Sequence, residues 1–130
     1  MSSNAQIIAE YLHLYAAGNA EQASLFLSDD VSFHGPMQQQ LRGKAEVSEI
    51  IGHVPKGSTN LRILRQWEDG NDVCSIYEYD VNLPSGPAAL LVTEWHTVRD
   101  GKITSIFINV DTGVFASRRR GSLMPSQRQT

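Results

Sequence analysis

The sequence predicts an α+β fold in which helices come first and an antiparallel meander follows. Three observations carry this. Apolar residues recur at helical spacing in three segments before residue 54. From residue 61 the pattern becomes alternating runs rich in β-branched and aromatic residues. Turn-forming clusters, Asp69-Gly70-Asn71, Pro84-Ser85-Gly86-Pro87 and Arg99-Asp100-Gly101, separate those runs.

Each element has its own signal. Ser3 and Gln6 stand at capping-box spacing. Behind them Ile7, Ile8, Tyr11, Leu12, Leu14 and Tyr15 make one wide apolar helix face, and Gly18 stops the helix. Asn19 and Gln22 repeat the capping spacing, so a second, short helix carries Ala23, Phe26 and Leu27 and ends at Asp29-Asp30. Val31-Ser32-Phe33 alternates as a short strand, broken by Gly35-Pro36. Val47, Ile50, Ile51 and Val54 predict a third helix over 44–53, ended by Pro55 and Gly57. Four long strands follow, Leu61 to Glu68, Val73 to Leu83, Ala88 to Val98 and Lys102 to Val110.

Composition narrows the function classes. A chain of 130 residues, 41% hydrophobic and 19% charged, suits one globular domain with a sizeable core. We expect a single domain over 1–116 and a basic, flexible tail over 117–130. The single Cys74 excludes an internal disulfide framework and a multi-cysteine zinc site, and reads as a small hydrophobe. No HExxH, P-loop or GxGxxG stands in the sequence, so no metal and no cofactor is expected. The longest apolar run, Ala88 to Val92, is too short to cross a bilayer, and nothing at the start resembles a signal peptide. The expectation is a cytoplasmic protein with no membrane partner. Net charge is −3; the tail contributes four arginines and no acid, which leaves −7 on the other 116 residues. That acidic body argues against a nucleic-acid partner.

Strand alternation sorts side chains into faces. The second long strand presents Ile76, Glu78 and Asp80 on one side, and Tyr77, Tyr79 and Val81 on the other. The third presents Val92, Glu94, His96 and Val98 opposite Leu91, Thr93, Trp95 and Thr97. The fourth presents Ile106, Ile108 and Val110 opposite Phe107, Asn109 and Asp111. Neither face is uniformly polar, so both are expected to be covered. Helices cover one. A second copy of the chain is the economical cover for an aromatic face of Tyr77, Tyr79, Trp95 and Phe107.

Four short motifs occur in order. They are Tyr11-Leu12-His13-Leu14-Tyr15-Ala16-Ala17-Gly18-Asn19, Leu25-Phe26-Leu27-Ser28-Asp29-Asp30-Val31-Ser32-Phe33, Leu41-Arg42-Gly43-Lys44-Ala45 and Asp100-Gly101-Lys102-Ile103. Together they resemble the NTF2-like superfamily, in its SnoaL-like and ketosteroid-isomerase-like branch, over roughly residues 5–112. The resemblance implies a cone: three N-terminal helices packed in the concavity of a strongly curved, mainly antiparallel sheet, around a pocket, with a convex face that forms a homodimer. It implies a small apolar molecule as partner. The fold hosts isomerases, cyclases, hydrolases, dehydratases and non-enzymes, so it does not by itself name an activity.

Ketosteroid isomerases pair a tyrosine with a protonated acid as an oxyanion hole, and a second carboxylate moves the proton. The resemblance places the tyrosine on Tyr11 and the acid on Glu94. The base position falls on Gly35, with His34 beside it as a stand-in. Limonene-epoxide hydrolases carry an Arg-x-Asp on the second long strand and an Asp on the last; these positions read Glu78-Tyr79-Asp80 and Ile108, which argues against epoxide hydrolysis. Grouping Glu78, Asp80, Glu94 and His96 on the concave face gives a carboxylate cluster in apolar surroundings, suited to proton transfer. The candidate catalytic residues are therefore Tyr11, Glu94, His96, Asp80 and His34. Tyr15, Glu78, Val92, Val98, Ile106, Ile108 and Val110 are expected to contact the ligand. Plainer readings stand beside these. Tyr11 and Tyr15 serve equally as core aromatics, Glu78 and Asp80 as ion-pair partners of Arg62 or Arg65, and His96 with Glu94 as an internal pair without chemistry. His13 reads as surface and His53 as a helix-end cap; Trp67 and Trp95 read as packing. The two functional expectations are a proton-transfer isomerase or cyclase acting on an apolar carbonyl or polycyclic compound, and a non-catalytic NTF2-like module that binds a ligand or a partner.

Overall fold

The computed structural model describes residues 3–36, 39–53 and 59–110, with backbone alone at 51–53 and 59. The 117–130 tail, the Pro55 and Gly57 stop and the His53 side chain lie outside the described residues. Three helices, α1 (Asn4–Ala16), α2 (Ala20–Ser24) and α3 (Lys44–His53), combine with six strands. The strands are β1 (Leu27–His34), β2 (Gln40–Arg42), β3 (Thr59–Asp69), β4 (Asp72–Leu83), β5 (Gly86–Arg99) and β6 (Lys102–Val110). They form one sheet in the order β2-β1-β6-β5-β4-β3, antiparallel except where β1 pairs with β6. The fold is α+β, as expected.

The capping box forms as its spacing predicts. Gln6 N–H donates to Ser3 Oγ at 3.1 Å, and Ser3 N–H donates to Gln6 Oε1 at 3.0 Å. Gly18, at φ +85°, takes the left-handed conformation that ends α1. At α2 the expectation is corrected in two ways. Asn19 makes no side-chain cap, and the helix stops at Ser24, so Leu27 opens β1 instead of closing a helix. Leu27 is buried at the start of β1, and Ile103 N–H of β6 donates to the Phe26 carbonyl at 2.7 Å. That backbone bond to a distant strand outweighs local helix preference. The sheet also holds β2, a three-residue strand with no apolar alternation to mark it.

The core sits between the helices and one sheet face. Ile8, Tyr11 and Leu12 of α1 and Val47 of α3 pack against Val31, Val73, Tyr77, Val92, Val98, Ile103 and Ile106. Asp100 and Gly101 both take positive φ, +53° and +77°, which gives the tight β5–β6 hairpin the twist its strands require. Among the described residues, no helix is long and apolar enough to cross a membrane.

Candidate functional site

Turn geometry decides which residues share the inner face. The β4–β5 hairpin turns through Pro84-Ser85 with Leu83 opposite Gly86. This register sets Ser75 against Glu94 and Tyr77 against Val92. Odd positions of β4 therefore join even positions of β5 on the concave face. Tyr77 and Tyr79 point inward with Glu94, and Glu78 and Asp80 point outward. Alternation along each strand was legible in sequence; the match between strands was not, and a one-residue difference exchanges the faces. The expected carboxylate cluster is thereby corrected. Arg62 of β3 pairs with Glu78 and Asp80 at 3.2 Å each, on the convex side. Asn60 and Arg62 both hydrogen-bond the Asp80 carboxylate. The bonds from Arg62, then Asn60, hold the Asp80 carboxyl below its usual value.

On the inner side lies a cavity of about 410 Å³. It opens between α1 and the β4–β5–β6 face, with Phe33, Pro36 and Gln39 along one edge. Its walls are mainly apolar: Ile50, Val81, Leu83, Leu90, Val92, Ile106, Ile108 and Val110. The chain has four tyrosines, and all of them, Tyr11, Tyr15, Tyr77 and Tyr79, line this cavity. Tyr11 and Tyr15, one helical turn apart, stack with ring planes 4° apart. Tyr77 and Tyr79, two apart on a strand, stack at 6.1 Å. Glu94 is the single charged side chain among the described lining residues, and it is buried.

The Glu94 carboxyl is held from two sides. Tyr77 donates its phenolic hydrogen to Oε2. His96, wholly buried, brings Nε2 to 2.8 Å from Oε1, although the ring is not aligned for a hydrogen bond and neither ring nitrogen has a hydrogen-bonding partner among the described residues. The contact is thus an electrostatic one at short range. Tyr11 meets the His96 ring edge-on at 5.7 Å. Burial, and secondarily the nearby Glu94 charge, pushes the hydroxyls of Tyr11, Tyr15, Tyr77 and Tyr79 above the ordinary tyrosine value. All four remain neutral phenols over the physiological range, and a neutral phenol can donate a hydrogen bond.

Of the residues singled out from sequence, Tyr11, Tyr15, Glu94, Val92, Ile106, Ile108 and Val110 line the cavity. His96 lies behind Glu94. Val98 belongs to the core below the cavity. Glu78 and Asp80 are outside. His34 is also outside: it stacks on Phe107 of the convex face at 4.2 Å, while its neighbour Phe33 takes the inward position. Gly35 has no side chain to offer, and a Cβ there would lie 2.8 Å from Phe33 Cε2. Strand alternation alone sets Tyr77 and Tyr79 on the opposite face, whereas both line the cavity. The signal that finds them is the two-residue turn at Pro84-Ser85, which fixes the register.

Convex-face positions align in one row across five strands. His34, Phe107, Trp95, Cys74 and Trp67 are successive register partners. Trp95 stacks on Phe107 at 4.9 Å, and Arg65 lies over Trp67 at 5.4 Å. Trp67, Trp95, Phe107 and Leu91 are all exposed. The aromatic outer face is therefore real, but it consists of these residues and not of Tyr77 or Tyr79.

Comparison with known proteins points one way on fold. The sequence model of the SnoaL-like domain matches residues 8–106. No curated protein matches the chain significantly. A candidate SnoaL-like polyketide cyclase of Shewanella putrefaciens CN-32 superposes with TM-score 0.77 at 12% identity, covering 93% of this chain and 88% of that one. An LEH-like epoxide hydrolase of M. tuberculosis superposes at 0.74 and 17% identity, covering 92% of each chain. A candidate ketosteroid isomerase of Kribbella flavida DSM 17836 superposes at 0.74 and 16% identity, covering 83% of this chain and 77% of that one. At such identities the likeness is one of fold.

Proposed function

The chain belongs to the SnoaL-like domain family of the NTF2-like superfamily, and from that premise we propose that it binds a small apolar carbonyl compound in its cavity and moves a proton on it. The reaction class is isomerisation or cyclisation. One observation carries the reading: Glu94, the one carboxyl group among the described lining residues, faces a mainly apolar cavity ringed by four neutral phenols. Tyr11 and Tyr15 supply hydrogen-bond donors for a carbonyl oxygen, and Glu94 exchanges the proton on the adjacent carbon. Tyr77 orients Glu94. Epoxide hydrolysis is disfavoured, because Glu78 and Asp80 are engaged by Arg62 on the outer face and Ile108 stands where the last-strand acid would be.

The test is hydrogen exchange in a bound ketone. Cyclic and polycyclic ketones that raise the melting temperature of the protein are incubated with it in heavy water, and deuterium uptake beside the carbonyl is followed. Wild type is expected to accelerate uptake, and Glu94→Gln to lose roughly 100-fold or more of that acceleration. Equal rates in the two proteins would reject the proton-transfer role. A second reading, a non-catalytic ligand-binding module, is favoured by Gly35, where the related isomerases place their base. It expects ligand stabilisation in both proteins and exchange in neither.

The convex face belongs to the same proposal. The row from His34 to Trp67 is continuous and mainly aromatic, with Phe107, Trp95 and Trp67 exposed, and a second copy of this chain is its occupant. A two-fold axis through the sheet lets each row cover the other.

A further inference from the structure

Glu94 and His96 alternate onto the same face of β5, and His96 is shut away from solvent. Tyr11 of α1 meets it edge-on. Val73 of β4 and Ile106 of β6 are its register partners. The titratable groups grouped around the pair are Tyr11 and Tyr15 from α1 and Tyr77 and Tyr79 from β4, all neutral phenols. No lysine or arginine is among the described cavity-lining residues. A carboxylate left alone in this setting costs several kcal/mol, and so does a lone imidazolium. At 2.8 Å each group offsets the other.

We infer that Glu94 and His96 form a buried dyad that holds one exchangeable proton between its two members at zero net charge, with Tyr77 and His96 as positioning residues for the carboxyl. The shared proton lies either on Glu94 Oε1, facing a neutral imidazole, or on His96 Nε2, facing a carboxylate. Passing between the two requires the His96 ring to turn so that Nε2 comes into line with Oε1; the transfer then breaks one O–H bond, forms one N–H bond and leaves the net charge at zero. His96 Nδ1 keeps its hydrogen in both forms. The competing arrangement, a carboxylate beside a neutral ring protonated only at Nε2, leaves an uncompensated negative charge in the cavity.

This inference deepens the proton-transfer reading and rests on it for its consequence. Glycine stands at position 35 and no second carboxylate is among the described cavity-lining residues, and the dyad lets one carboxyl both give and take a proton. When Glu94 accepts a proton from carbon, the C–H electron pair forms a carbon–carbon double bond and the carbonyl π pair moves onto the oxygen. The resulting enolate faces a dyad that now carries one positive charge. Return of the proton to a second carbon restores neutrality. A resting site without net charge suits a neutral ligand.

Nitrogen NMR of the histidine rings in the ligand-free, full-length protein tests the dyad without any substrate. The His96 ring is assigned by through-bond correlation to its own backbone, and exposed His13 serves as an internal reference. In wild type, Nδ1 of His96 is expected to show a hydrogen-bearing nitrogen signal. That signal should hold from about pH 5.5 to about pH 8, the range in which an ordinary histidine titrates around 6.5. Glu94→Gln is expected to shift the His96 ring signals, and Tyr77→Phe to shift them less. A hydrogen-free Nδ1 in wild type, or loss of its hydrogen-bearing signal within that pH range, would overturn the dyad. Loss of the ketone exchange alone, with the His96 signals as expected, would overturn the proposed reaction and leave the dyad standing.

Discussion

Tyr77 on β4 donates a hydrogen bond to Oε2 of Glu94 on β5, across a diagonal of the antiparallel ladder. Ser75 is the direct partner of Glu94 and Val92 that of Tyr77, so the bond joins residues two positions out of register on one face. The phenol is long enough to span that diagonal. It thereby satisfies one oxygen of a buried carboxyl whose other oxygen faces His96.

Removing this hydroxyl should show in stability. Tyr77→Phe keeps the ring in the core and leaves a buried carboxyl oxygen without its donor, which costs about 1–3 kcal/mol. In urea unfolding, the midpoint is expected to fall while the slope stays the same. An unchanged midpoint would mean that the bond contributes nothing.

On the outer face, acid stability reports on Asp80. Its carboxyl is held below the usual range by Arg62 and Asn60. A depressed value in the folded state means that the stabilisation is present above the unfolded value, about pH 4, and is lost as pH falls through the folded one. Asp80→Asn should therefore flatten the decline in stability on acidification below about pH 4. Because Asp80 lies outside the cavity, the same variant should bind ketones at neutral pH as wild type does. Weakened binding would return Asp80 to the site.

Alkali should act through the tyrosines. All four are raised in the folded state by burial and by Glu94. The unfolded chain ionises them near pH 10. Stability is then unaffected below that value and declines as pH rises past it. Tyrosinate absorbance is expected to appear together with loss of the folded circular dichroism signal. Ionisation of any tyrosine well before unfolding would show that its hydroxyl reaches solvent.

Trp95 and Phe107 supply the measurement for self-association. Wild type is expected to sediment as a dimer, and Trp95→Glu, which sets a charge in the aromatic row, as a folded monomer. A wild type that stays monomeric at all accessible concentrations would remove a second copy as the occupant of this face.

The sequence by itself determined the fold class and the order of every element except β2, because helical and strand periodicities are local properties. Ser3 and Gln6 placed the start of α1, and Asp100-Gly101 placed the last hairpin. The family resemblance of its motifs picked out Tyr11 and Glu94, and Tyr15 shares the helix face of Tyr11. The tertiary structure decided what depends on the relation between strands. The two-residue turn at Pro84-Ser85 sets β4 against β5, and that register carried Tyr77 and Tyr79 into the cavity and Glu78 and Asp80 out to Arg62. The pairing of β1 with β6 turned His34 onto Phe107. Alternation tells each strand that it has two faces, but only hydrogen-bonded register says which faces agree, and the chemistry of this cavity rests on that agreement.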